Sequence, residues 1–294
     1  MDTTIDTGAR ARLLRCYLLD TRCELLRLLR EPMYIIPTLL VPALFYVMFG
    51  LLLGGRGSGE AARYLLATYG VFGAMGAGLF GFSVTLAIDR ERGFFALRRA
   101  LPAPPSAWLV ARMLIAMLFA LAIVLELALL AVAFGDVSLA AGQWALLWTV
   151  TVLGALPFCA IGLLLGSMAS ANAAPAWVNL LFLPMAFLSG LWLPLAMLPD
   201  VFARLAPLWP AWHLAQIALG VTGQAGTTPL WLHLLVLISV LGLVLFTRQL
   251  RYSDEQKARE SQYLASQVAL RTAELRELAG HLVTTREDER GRLA

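Results

Sequence analysis

"DRERGFFALRRALPAPPSAW", residues 89–108, sets two acids and four arginines in its first eleven positions and then three prolines, between apolar runs at 64–88 and 109–134. At 1.5 Å per helical residue, about 20 apolar residues cross the ~30 Å hydrocarbon core of a bilayer. Each flanking run is therefore long enough to span a membrane. An arginine at the bilayer centre costs about 2.5–3.5 kcal/mol on insertion scales, so the charged stretch between the runs lies in water.

Working outward, four more runs of the same kind appear, giving six predicted spans at 33–53, 64–88, 109–134, 144–169, 175–196 and 229–247. The composition agrees: of 294 residues, 60% are hydrophobic and 14% charged, with mean hydropathy +0.75. Length alone would allow about two soluble domains, and these runs overrule that reading. The predicted fold class is an all-α integral membrane protein. It has six transmembrane helices, an N-terminal interfacial amphipathic helix, an outer re-entrant segment and a cytoplasmic helical tail.

An even number of spans returns both termini to one side. Six arginines precede the first span, five (Arg90, Arg92, Arg98, Arg99 and Arg112) fall between spans two and three, and Arg248 and Arg251 follow the sixth. The opposite loops hold Arg56, Arg63 and Arg204. This asymmetry puts both termini and residues 89–108 in the cytoplasm of a multi-pass protein of the inner (plasma) membrane. It also accounts for the net charge of +4 without nucleic acid, for which no basic stripe interleaved with aromatics is present.

Residues 1–32 form the first segment. Within 10–31, Leu14, Leu18, Leu25 and Leu29 share one helical face and arginines occupy much of the rest, the pattern of a helix lying on the membrane surface. Residues 33–252 form the six-span domain. In it, Gly70, Ala74 and Gly78 lie on one face of the second span, Gly73, Ala77 and Gly81 on a neighbouring face, and Gly162 and Gly166 repeat the four-residue spacing in the fourth. Such small residues allow close helix packing, within the bundle or against a second copy. Pro37, Pro42, Pro157 and Pro184 predict kinks. Glu126, an acid well inside a span, is expected to face the bundle interior or a wet cavity, either as a neutral hydrogen-bonded group or as a substrate or proton contact. Residues 188–220, rich in Trp and Pro, are too broken for a full crossing and predict short pieces dipping into the outer leaflet.

The sole lysine, Lys257, follows Gln256, so no phosphate-binding P-loop exists and the chain hydrolyses no ATP through one. His213, His233 and His281 form no H-E-x-x-H motif and no two of them are expected in proximity, which argues against zinc chemistry. Cys16, Cys23 and Cys159 have no C-x-x-C spacing. No catalytic residue, metal site or resident cofactor is expected.

Three stretches carry a family resemblance: "LLREPMYIIPTLLVPALFYVMFG" after the amphipathic helix, "DRERGFFALRRALPAP" between spans two and three, and "FLSGLWLPLAMLPDVFARLAPLWPAWHLAQIALG" near the end of the fifth. From about residue 10 to 252 the chain resembles the membrane subunit of ABC-2 type transporters. The resemblance implies a separate ATP-binding subunit that holds ATP and Mg, a paired or homodimeric permease, and docking of that subunit on the loop after span two. Asp89, Arg90, Glu91, Arg92, Gly93, Arg98 and Arg99 would then carry the coupling. Read as a helix beginning at Asp89, the loop has acids in its first turn and arginines near its end, a polarity that suits the helix dipole. The cargo expected of apolar spans is a small amphiphilic, drug-like or lipid-like molecule.

Residues 253–294 turn abruptly polar, with Leu264, Val268, Leu275, Leu278 and Leu282 on a short heptad seam that predicts a coiled-coil tail. "LRTAELRELAGHLVTTREDERGRLA" resembles the helix leading into the phosphoacceptor segment of DesK-like and NarX-like sensor histidine kinases. That likeness implies a second reading, the membrane sensor of a truncated kinase with a two-component signalling partner.

Overall fold

The computed structural model describes residues 3–52, 59–99, 104–224 and 229–242, and among these every regular element is helical. Helix α1 is Thr3–Leu29 and α2 is Pro32–Phe45, which continues as a π-helical stretch, Tyr46–Leu52. Then come α3 (Gly59–Glu91), the short α4 (Phe94–Arg99), α5 (Pro105–Phe134) and α6 (Ala141–Met168). After α7 (Ala174–Leu188), an irregular segment holds α8 (Asp200–Leu205) and leads to α9 (Pro210–Val221) and α10 (Leu230–Gly242). The predicted tail, with its heptad seam and kinase-like run, lies outside the described residues.

Among the described residues, four stretches are long and apolar enough to cross a bilayer: Pro32–Leu52, Gly59–Glu91, Ser106–Phe134 and Ala141–Met168. They match the first four predicted spans. Within the fifth and sixth predicted spans lie the apolar helices Ala174–Leu188 and, as far as the described residues reach, Leu230–Gly242. The prediction of 175–196 overran because the backbone stops the helix early. Gly190 takes a left-handed φ of 71°, the Leu191 N–H donates to the Ala186 carbonyl and the Gly190 N–H to that of Phe187, closing the helix in a Schellman cap.

Helix α3 is the axis of the bundle, with 72% of its most apolar window buried against 22% for Pro32–Leu52. Small residues explain this. A Cβ on Gly78 would stand 2.9 Å from the backbone nitrogen of Cys159, one on Gly162 2.8 Å from the Leu79 carbonyl and one on Gly166 2.5 Å from that of Ser83, so α3 and α6 touch nearly backbone to backbone. Gly73 receives Ile123 of α5 and Gly81 the Tyr34 hydroxyl of α2, while Gly70 meets Val124 and Thr151 at ordinary contact distance. All six glycines read from the sequence thus face neighbours within the chain. Around them Tyr69, Met75, Leu79, Leu127 and Phe158 form the buried core.

Hydrogen bonds sort the elements by end. At one end Arg90 of α3 donates to the carbonyls of Ser167 and, at 2.6 Å, Ala169 at the close of α6, and Tyr17 of α1 meets Ser106 of α5 at 2.7 Å. At the other, Arg63 donates to the Ser138 carbonyl, Gln143 to that of Val221 and Gln224 to that of Glu60. The arginine-rich stretch and the Trp/Pro-rich segment are therefore at opposite ends of the bundle, as the arginine count predicts.

Candidate functional site

At the arginine-rich end, α3 does not stop where its charges begin. It runs on through Asp89, Arg90 and Glu91, which form its last turn rather than the first turn of a separate helix. The expectation of acids at a helix N-terminus is corrected here. Acids at a C-terminus oppose the helix dipole and need cations of their own.

Asp89 has them. Its carboxylate, 5% exposed, accepts from Arg112 Nη2 at 2.5 Å, and from Arg27 Nη2 at 3.0 Å and Nη1 at 3.2 Å. Glu24 Oε1 faces Arg112 Nε at 3.0 Å, an ion pair without the alignment of a hydrogen bond. Arg112 Nη1 donates to the Thr85 hydroxyl at 2.5 Å, and its guanidinium lies 4.6 Å from the Trp108 ring centroid. Two acids and two arginines from α1, α3 and α5 thus close a neutral quartet. Burial alone would lower the readiness of Arg27 to hold its proton, but the hydrogen bond and charge of Asp89, with Glu24 and Glu31, hold that guanidinium above its ordinary range.

The next two residues also bind inward. Arg90 caps the carbonyls closing α6, where a cation suits the helix C-terminus, and Glu91 Oε1 accepts from the Ala171 N–H at 2.8 Å. Together they staple the end of α3 to the turn before α7. Arg92 and Gly93 are exposed, Gly93 turning the chain with φ 71°, and Arg98 and Arg99 end the short α4. Of the seven coupling candidates, Asp89, Arg90 and Glu91 bind inward, and Arg92 and Gly93 are exposed. A cleft of about 390 Å³ lies beneath, bordered by Asp20, Cys23, Glu24 and Arg27 of α1 and by Arg92 and Leu97.

Glu24, Arg27 and Arg112 escaped sequence reading as partners of Asp89. Arg112 counted as a loop arginine but sits in α5, 3% exposed, and a charge inside an apolar helix was the available signal. Glu126 is half-buried in α5, beside exposed Leu125 and Leu129.

Farther along the bundle, a half-open cavity of about 300 Å³ lies between α2, α3 and α7. Pro37 and Pro42 of α2 and Gly73, Gly76 and Ala77 of α3 leave the space, while Phe72, Phe80 and Phe182 supply aromatic walls. Its side-chain polar groups are the hydroxyls of Tyr34 and Thr38, and Thr38 already donates to the Tyr34 carbonyl at 2.6 Å. Such a space can accept an apolar body and offers little to a polar one.

Residues 17–221 match the family described as ABC-2 type transporter. Over 235 residues the chain is 26% identical to a putative transport permease, YvfS, of Bacillus subtilis (strain 168), covering 79% of this chain and 95% of that protein. The matched region holds α2 to α9, the ion quartet, the charged loop and the cavity. The chain belongs to the ABC-2 type transporter family, and is a multi-pass membrane permease of that kind.

Proposed function

We propose that this permease couples ATP hydrolysis on a separate ATP-binding subunit to export of a small amphiphilic, lipid-like or drug-like molecule. The arginine-rich end faces the cytoplasm, Arg92, Gly93, Arg98 and Arg99 meet the ATP-binding subunit, and two permease copies work together. One observation carries this reading: the exposed loop is mounted on an anchored base. Force applied at residues 92–99 passes through Asp89, Arg90 and Glu91 into α1, α3, α5 and the close of α6 at once. A loop that served only to fix topology would not need that anchorage. The apolar cavity supports the choice of cargo.

The test is reconstitution of the permease with the ATP-binding subunit that co-purifies with it. R92A/R98A/R99A should leave insertion and melting temperature unchanged and reduce cargo-stimulated ATPase about tenfold or more, a loss of about 1.4 kcal/mol or more of coupling. Unchanged stimulation with unchanged subunit binding would overturn the docking assignment.

A further inference from the structure

Separated by twenty residues of sequence, His213 of α9 and His233 of α10 meet with their Nδ1 atoms 2.9 Å apart and their rings only 4% and 3% exposed. This corrects the expectation that no two histidines come together. We propose that the pair is a proton-binding site that latches α9 to α10 and takes up one excess proton, at His233 Nε2, while the Nδ1–H···Nδ1 bond between the rings stays intact.

The tautomers follow from the contacts. His213 Nε2 lies 2.9 Å from the Pro207 carbonyl, which can only accept, so that nitrogen carries its proton. A neutral His213 then has a bare Nδ1, and His233 must donate to it from its own Nδ1–H. A first added proton goes to the pair without breaking it, since one ring becomes a charged donor and the other still accepts, a charge-assisted bond. A second proton sets N–H against N–H and charge against charge, so it can enter only if the rings part.

Few other charges intervene. Besides these histidines, α9 and α10 carry no titratable side chain, and α6 contributes only Cys159. On α3, Glu60, Arg63, Tyr64 and Tyr69 occupy the near turns, with Arg63, Tyr64 and Tyr69 donating to backbone carbonyls; Asp89, Arg90 and Glu91 are at the far end. Asp200 and Arg204 lie on α8, which reaches α9 through the turn holding Pro207. Trp212 touches both rings, with centroids 4.9 and 5.3 Å away. Among the described residues no third His, Cys, Asp or Glu joins them, so the pair fits a proton and not a metal ion.

The latch matters because of what it joins. Leu214, next to His213, fills the notch over Gly154 of α6, and α10 brings Leu237 into the core. Acid from this side of the membrane loads the pair once and then, at the second proton, frees α10 from α9.

The test is nitrogen NMR of the full chain in nanodiscs, labelled with ¹⁵N-histidine, with H281Q identifying the third signal. At about pH 8 one ring should be protonated at Nε2 and the other at Nδ1, and between about pH 8 and 5 both should shift together in one step worth one proton. In H233F, His213 should lose that concerted step while keeping its Nε2–H tautomer. Identical tautomers in the native protein, two independent one-proton steps, or stoichiometric Zn²⁺ moving both signals would overturn the proposal. The native-chain spectrum decides even where H233F does not fold.

Discussion

At the arginine-rich end, four ionised side chains from three helices meet in one buried cluster, and α1 is tied to the bundle through it. At the opposite end the ties are dispersed single bonds to backbone carbonyls and, apart from Arg63 on the Ser138 carbonyl, neutral: Tyr64 donates to the Gly190 carbonyl, Tyr69 to that of Trp192, Gln143 to that of Val221 and Gln224 to that of Glu60. The contrast is mechanical. A charge cluster resists the loss of any one member, because whatever remains is a buried unpaired ion. Neutral hydrogen bonds to carbonyls can be broken and remade one at a time, each at small cost. An end that receives force benefits from the first arrangement, and an end whose segments must part and return benefits from the second.

The largest effect expected from this contrast is at Arg112. Arg112→Ala leaves Asp89 with Arg27 as its one cationic partner, strips Glu24 of its closest one and opens a cavity beside Trp108. The loss should be about 3–5 kcal/mol, visible as a large drop in melting temperature of the purified protein and in membrane-inserted yield. Combining it with Asp89→Asn should recover part of the loss, since the stranded charge is then gone. A double variant as unstable as the sum of the two singles would show that the cluster is not a coupled unit.

Next come two glycines that differ in what they meet. A Cβ at Gly166 strikes Ser83 backbone at 2.5 Å, whereas one at Gly154 strikes the far end of the Leu214 side chain at 2.4 Å. Backbone held in a helix cannot yield, but a leucine can change rotamer. Gly166→Ala should therefore cost about 1–3 kcal/mol by forcing α3 from α6. Gly154→Ala should cost less, and should loosen α9 in hydrogen exchange around residues 210–221 while leaving α3 protected. Equal losses would erase the difference between a rigid end and a yielding one.

Much of this was legible in the sequence, and unevenly so. The first four spans could be read because hydrophobic length is a property of each segment alone, and the six packing glycines because four-residue spacing is local too. The close of α7 could not, since it depends on a left-handed φ at Gly190 that composition does not announce. The quartet was hidden for a different reason: Arg27 and Asp89 are separated by 62 residues, and arginine counting treats each charge as a marker of sidedness without asking what it binds. For the same reason Arg112 reads as a loop charge, and two histidines twenty residues apart give no local sign that they meet. Interactions set by the tertiary fold leave a trace in the sequence only as an anomaly, such as an arginine in an apolar helix.

The smallest expected effect tests the neutral end directly. Tyr69 donates to the Trp192 carbonyl at 3.1 Å and Tyr64 to the Gly190 carbonyl at 3.3 Å, both acceptors in the turn that ends α7. Removing one hydroxyl leaves a carbonyl oxygen unmet but strands no charge, and it leaves the ring in place. For Tyr69, the ring contacts with Phe45 and Phe72 at 6.3 Å survive. Tyr69→Phe should therefore cost about 0.5–1.5 kcal/mol, and Tyr64→Phe, with the longer bond, no more than that. Because both hydroxyls hold one short turn, the double variant should fall short of additivity once the turn has been released by the first loss. If instead Tyr69→Phe matched Arg112→Ala in melting temperature, this end would be as tightly locked as the other. The turn after α7 could not then act as the yielding side of the bundle.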